Sequence, residues 1–120
     1  MRVTFVKLTI EMKANPGKFQ ELHQTLEALL PMIRGQKGCR DCRISRDIED
    51  EEVLTLAVDW DAREDLEQYV GSEDGSALLG AIELLSETSR VAMGRDLSWE
   101  GIEALKKMRK KTQEIKRQRS

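Results

Sequence analysis

Apolar and polar residues alternate at the start of the chain. Val6, Leu8, Ile10 and Met12 fall on one side, and Phe5, Lys7, Thr9 and Glu11 on the other. A period of two predicts a half-buried strand over 3–12. Ala14-Asn15-Pro16-Gly17 breaks the alternation. Asn15 has the side chain of an N-cap, and Pro16 suits a first helical position, where its missing N–H would be unpaired anyway. The period then lengthens. Phe19, Leu22, Leu26, Leu29, Leu30 and Ile33 recur at threes and fours, which predicts a helix over 16–34 with one apolar stripe. Pro31 is expected to kink it or loosen its last turn. Gly35 and Gly38 end it.

A second strand is predicted at about 40–47, with Cys42 and Ile44 on one side and Arg43 and Ser45 on the other. Residues 47–52 form a charged turn. The clearest strand is 53–60, where Leu54, Leu56, Val58 and Trp60 alternate with Val53, Thr55, Ala57 and Asp59. Asp61 and Glu64 have capping-box spacing, and the short helix after them buries Ala62, Leu66, Tyr69 and Val70. Gly71 to Gly75 interrupt it. A third helix over 76–86 presents Leu78, Ile82 and Leu85. A last strand at about 88–97 has Val91, Met93 and Leu97 on one side, with Arg95 as the exception. Ser98 is expected to cap a C-terminal helix carrying Ile102, Leu105, Met108 and Ile115 on a thin stripe.

The order β-α-β-β-α-α-β with right-handed crossovers predicts an α+β fold, a ferredoxin-like plait with a four-stranded antiparallel sheet. Its helix-facing side is strongly apolar. The opposite side (Phe5, Thr9, Val53, Thr55, Ala57) is mixed, and such a face meets water or pairs with another sheet. Composition does not decide between these.

Composition changes the picture at two points. The 120 residues carry a formal charge of −2, which speaks against a nucleic-acid module. That figure averages two unlike parts. Residues 1–105 hold 12 Lys+Arg against 21 Asp+Glu, a charge of −9, and residues 106–120 hold 8 against 1, a charge of +7. An acidic body carries a basic tail. No aromatic residue follows Trp99 to stack on bases. The expected setting of the chain is soluble and cytoplasmic, since no apolar run reaches the ~20 residues of a membrane span and no signal-peptide core is present.

The second point is chemistry. Two cysteines and one histidine cannot supply the four ligands of a structural zinc site from one chain. Any histidine-assisted nucleophile must use His23. No glycine-rich phosphate loop or H-E-x-x-H motif is present.

Four segments together resemble the antibiotic biosynthesis monooxygenase family of dimeric α+β-barrel proteins. They are Asn15-Pro16-Gly17-Lys18-Phe19; Leu30-Pro31-Met32-Ile33-Arg34 with Gly38-Cys39 and a strand ending Arg46-Asp47; Val58-Asp59-Trp60 with Asp61 to Leu66; and Ser72-Glu73-Asp74 leading into Ala77-Leu78-Leu79. The resemblance divides the chain into a domain at 1–97 and a basic helical tail at 98–120. It implies a homodimer joined through the sheet faces, with a pocket between sheet and helices. The activity it implies is oxygenation of a phenolic or quinol-like aromatic substrate with no metal or flavin, so no cofactor is expected. Members that degrade haem use an Asn/Trp/His set. Asn15 is the only asparagine here, and that set is not expected to assemble. Family members often place a histidine nine residues after the strand-end tryptophan, where this chain has Tyr69.

Trp60 and Tyr69 therefore carry two readings each, as pocket residues that stack on and hydrogen-bond an aromatic ligand, or as buried aromatics of the core. Leu8, Leu56 and Leu78 are the expected apolar wall. Tyr69 and His23 are the candidate catalytic groups, His23 because only histidine titrates near neutral pH unperturbed. His23 also reads as a boundary residue facing solvent. Cys39 and Cys42 form C-x-x-C, but a strand would turn the two side chains to opposite faces, which disfavours a bridge. Alternatives to a monooxygenase are a non-catalytic ligand-binding or regulatory member of the same superfamily, and an interaction protein working through the basic tail. The same tail also reads as a helix lying on the acidic body.

Overall fold

The structure, a computed structural model, describes residues 6–94 and 98–119. The elements are β1 (Val6–Ala14), α1 (Phe19–Arg34), β2 (Cys39–Arg46), β3 (Val53–Trp60), α2 (Arg63–Val70), α3 (Glu73–Leu85), β4 (Ser86–Met93) and α4 (Glu103–Arg119). The sheet order is β2-β3-β1-β4, with every neighbouring pair antiparallel. This is the expected α+β plait. The expectations for Phe5, Arg95 and Leu97 lie outside the described residues.

Register explains the core. Leu8 lies opposite Val58, Ile10 opposite Leu56 and Met12 opposite Leu54, while Ile10 also faces Val91 of β4. Alternation then puts all of these on one side of the sheet. They are buried with Leu22, Leu26, Leu29 and Ile33 of α1 and Leu78, Leu79, Ile82 and Leu85 of α3. Each such side chain contributes about 1.5–3 kcal/mol by leaving water. Thr9, Glu11, Val53, Thr55 and Ala57, on the other side, are only half-buried.

The structure corrects several local expectations. Helix α1 starts at Phe19. Asn15 does not cap it. Its side-chain amide donates to the Leu84 carbonyl at 3.1 Å, and its own carbonyl accepts the Lys18 N–H at 2.9 Å, closing a turn. Gly17 sits in that turn at φ 75°, which only glycine adopts freely. Pro31 lies inside α1, which continues to Arg34. The one bond it removes, to the carbonyl of Glu27, falls on an exposed residue. Asp61 does not cap α2. Ala62 occupies that position with no side-chain cap, and Asp61 instead faces Arg40 at 3.6 Å. Helix α3 begins three residues earlier than its apolar pattern shows, because Ser72 caps it by accepting the Gly75 N–H.

The C-terminal segment also differs. Ser98 does not start a helix. Glu100 instead pairs with Val91 through two backbone bonds of 2.7 Å, and α4 follows from Glu103. Leu105, Met108 and Thr112 of α4 are buried. A Cβ at Gly71, just after α2, would come within 2.8 Å of the Thr112 methyl, so the tail helix sits close on the end of α2. Lys106 pairs with Glu83 at 2.9 Å. Among the described residues no helix is long and apolar enough to cross a membrane.

Candidate functional site

Trp60 is the last residue of β3 and points inward, fully buried. The chain leaves β3 at Asp61-Ala62 and turns directly into α2, whose last turn holds Tyr69. Nine residues after Trp60, the chain has come back over it. The two rings stack with centroids 5.4 Å apart and planes 29° apart. Trp60 Nε1 and Tyr69 Oη are both buried and have no hydrogen-bond partner among the described residues. Such groups are rare in folded proteins, because an unpaired buried donor costs about 1–3 kcal/mol.

The backbone around Tyr69 is tightly held. Ser72 Oγ donates to the Tyr69 carbonyl at 2.5 Å and accepts the Gly75 N–H at 3.1 Å. Gly75 is required inside α3, since a Cβ there would fall 2.2 Å from the Tyr69 carbonyl oxygen. From α4, Arg109 Nη1 donates to the carbonyls of Val70 at 3.1 Å and Ser72 at 2.5 Å. A guanidinium at the carbonyl end of α2 also complements that helix's dipole. Gln36, just past α1, donates to Asp74 of α3 at 2.9 Å. Burial, and secondarily Asp74, holds the Tyr69 phenol above its ordinary range. Tyr69 is therefore a neutral hydrogen-bond donor at physiological pH, not a base.

A groove of about 500 Å³ opens at Tyr69, with Gln36, Lys37, Gln68, Ser72 and Lys116 among its walls. Leu8, Leu56 and Leu78 belong to the same buried cluster as Trp60 and Tyr69. His23 lies elsewhere. It stacks on Phe19 with centroids 6.0 Å apart and its Nε2 meets Glu27 at 2.9 Å, in a separate groove of about 380 Å³ between α1 and β2. The two grooves share no residue. The structure does not bring His23 and Tyr69 together.

Both cysteines are free thiols. Cys42 points into the core, and burial pushes its thiol up to about 12. Burial also raises Cys39. Neither is a ready thiolate at neutral pH. Among the described residues no three His, Cys, Asp or Glu side chains converge as a metal site.

Sequence reasoning missed Ser72, Gly75, Asp74, Gln36 and Arg109. Ser72 did carry a signal, since a serine followed by Glu73 and Asp74 is an N-terminal helix pattern. Gln36 and Arg109 carried none, because they reach the site from remote parts of the chain.

A family model described as antibiotic biosynthesis monooxygenase matches residues 5–78. No curated protein matches the chain. Among solved structures, a conserved protein from Methanosarcina mazei Go1 is similar at 18% identity, over 78% of this chain and 94% of that one, with a TM-score of 0.73. A protein from Pseudomonas aeruginosa aligns at 21% identity, over 82% of this chain and 100% of its own, with a TM-score of 0.70. A structure named as an antibiotic biosynthesis monooxygenase aligns at 15% identity, over 78% and 99%, with a TM-score of 0.68. These likenesses establish the shared fold.

Proposed function

Since the chain belongs to the antibiotic biosynthesis monooxygenase family, we propose that it binds a phenolic or quinol-like aromatic at the Trp60–Tyr69 pair and oxygenates it without a cofactor. The observation that carries this reading is the pair of unpartnered buried donors, Trp60 Nε1 and Tyr69 Oη, on stacked rings. A ligand oxygen between them would satisfy both. In this reading the ligand reaches inward past Tyr69 to the buried Trp60, whose ring would supply a flat apolar surface, with Leu8, Leu56 and Leu78 of the same buried cluster as the apolar wall.

The chemistry follows from the protonation state of Tyr69. A neutral phenol donates to an oxyanion, so Tyr69 holds the ligand as its anion and stabilises the charge. The ligand anion gives electrons to dioxygen. One oxygen atom ends on a ring carbon as a carbonyl, and the other leaves as water with the single hydrogen of that carbon and the proton given up by the phenol hydroxyl, leaving the quinone. The buried pair keeps bulk water from the anion meanwhile.

A second reading rests on the same phenol. Tyr69 is not a base, and His23 lines another groove. A ligand-binding or regulatory member without turnover fits those two facts. An oxygen electrode separates the readings: purified protein with a panel of hydroquinones and hydroxylated naphthalenes consumes oxygen above the buffer rate under the first. Under the second, the same compounds bind with no oxygen uptake.

The homodimer belongs to this proposal too. The half-buried face carrying Thr9, Thr55 and Ala57 is the surface through which two sheets would join. Ala57→Arg is expected to convert a dimer to a monomer in sedimentation.

A further inference from the structure

The groove between α1 and β2 is a second site, independent of the Trp60–Tyr69 pair. We infer that it binds a small organic carboxylate with an apolar or aromatic body.

The floor of the groove is apolar: Leu30 of α1, Ile44 of β2 and Leu54 of β3. Two guanidiniums stand over it, and both are fixed by backbone carbonyls. Arg34 donates Nε and Nη2 to the Cys42 carbonyl at 3.1 and 2.9 Å. Arg46 donates Nε to the Glu51 carbonyl at 2.8 Å, and its guanidinium lies 4.1 Å above the centre of the Phe19 ring. Among the described residues no carboxylate lies within ion-pair distance of either. A carbonyl orients a guanidinium but does not cancel its charge. Two held positive charges, without an ion-pair partner among the described residues, thus face one cavity, in a body whose residues 1–105 sum to −9.

The other charged groups in the groove have polar partners of their own. Arg43 pairs with Asp41 at 2.6 Å, and Glu27 takes His23 Nε2 at 2.9 Å. Glu27 also limits the ligand, because a second negative charge would be repelled.

The geometry selects a carboxylate over other anions. A planar guanidinium with its fork fixed meets two carboxylate oxygens at once. A bare inorganic anion would leave Leu30, Ile44 and Leu54 uncovered. A cavity of about 380 Å³ falls in the range of small-ligand sites. The stacked Phe19 and His23 rings, nearly parallel at 7°, line the same groove and add apolar contact.

His23 is the only histidine in the chain, so its two ring C–H protons give an unambiguous pair of NMR signals at the groove. Full-length protein at constant pH is titrated with benzoate, benzamide and inorganic phosphate. Saturable movement of the His23 signal with benzoate is expected, at least tenfold weaker with benzamide and with phosphate. Arg46→Gln is expected to weaken benzoate at least tenfold while leaving the thermal midpoint nearly unchanged. Arg34→Lys keeps the charge without the fork, and serves if removal of the charge impairs folding; it too is expected to weaken benzoate. No movement with benzoate would overturn the proposal. Equal movement with benzamide would overturn the charge argument, and equal movement with phosphate the carboxylate assignment. Trp60 emission, read in Trp99→Phe protein, is expected to stay constant through the benzoate titration; a parallel change would place benzoate at the other site.

Discussion

The Trp60 indole and the Tyr69 phenol stack 5.4 Å apart, and the polar atom of each is buried with no partner among the described residues. A core that needed two aromatic rings here would be more stable with phenylalanine at position 69, because the hydroxyl loses its water and gains nothing. Retaining both donors is consistent with a third group sitting between them.

Tyr69→Phe separates stability from binding. Removing an unpaired buried hydroxyl is expected to raise stability by about 1 kcal/mol, read as a higher urea midpoint. The same change is expected to weaken a bound hydroquinone at least tenfold. A variant that loses stability would mean that the hydroxyl has a partner in the folded protein.

Alkaline pH is expected to destabilise the fold. Burial raises Cys42 from an ordinary 9.0 to about 12 and raises Tyr69 above its ordinary 10.0. Both groups are neutral when protonated, so between those limits the folded chain keeps protons that the unfolded chain releases. Their contribution is complete below about pH 9 and is lost as pH rises through 9 to 12 and beyond. Each group contributes a slope of up to about 1.4 kcal/mol per pH unit. Urea midpoints across this range check it, and Tyr69→Phe is expected to flatten the part above pH 10.

Arg109 and Lys106 are both basic residues of α4, yet they should differ in effect. Arg109→Ala removes a charged donor from the carbonyls of Val70 and Ser72 and is expected to cost about 1.5 kcal/mol. Lys106 meets Glu83 with both side chains 47% exposed, and Lys106→Ala is expected to cost under about 1 kcal/mol. Thermal unfolding compares them. Trp60 emission in Trp99→Phe protein is expected to shift with Arg109→Ala but not with Lys106→Ala, since only Arg109 grips the elbow that follows Tyr69.

Cys42 should resist alkylation. Its thiol is buried and its acidity suppressed, so iodoacetamide at pH 8 is expected to modify native protein at Cys42 at least a hundredfold more slowly than protein in urea. Peptide mass spectrometry distinguishes it from the half-exposed Cys39.

Much of the fold was legible because each strand shows its two faces. The 53–60 strand has its predicted limits, and Leu54, Leu56, Val58 and Trp60 all point inward. Helix starts were less legible. Asn15 and Asp61 have the chemistry of caps, but tertiary contacts claim them, with Leu84 for one and Arg40 for the other. Gly75 reads as an interruption in sequence, yet it is buried within α3 because the helix meets the Tyr69 carbonyl there. Within the candidate site, Trp60 and Tyr69 were visible from their place on a strand and a helix. The separation of His23 from them was not, since one groove is lined by α1 and β2 and the other by α2, α4 and the segment after α1.

The most direct test of the Trp60–Tyr69 site uses Trp99→Phe protein, in which Trp60 is the single indole. Its emission is followed while a hydroquinone is added. The expected result is a saturable change that Tyr69→Phe weakens at least tenfold. Emission that stays flat to millimolar ligand, or a change that Tyr69→Phe leaves intact, would contradict the assignment of this pair as the ligand site.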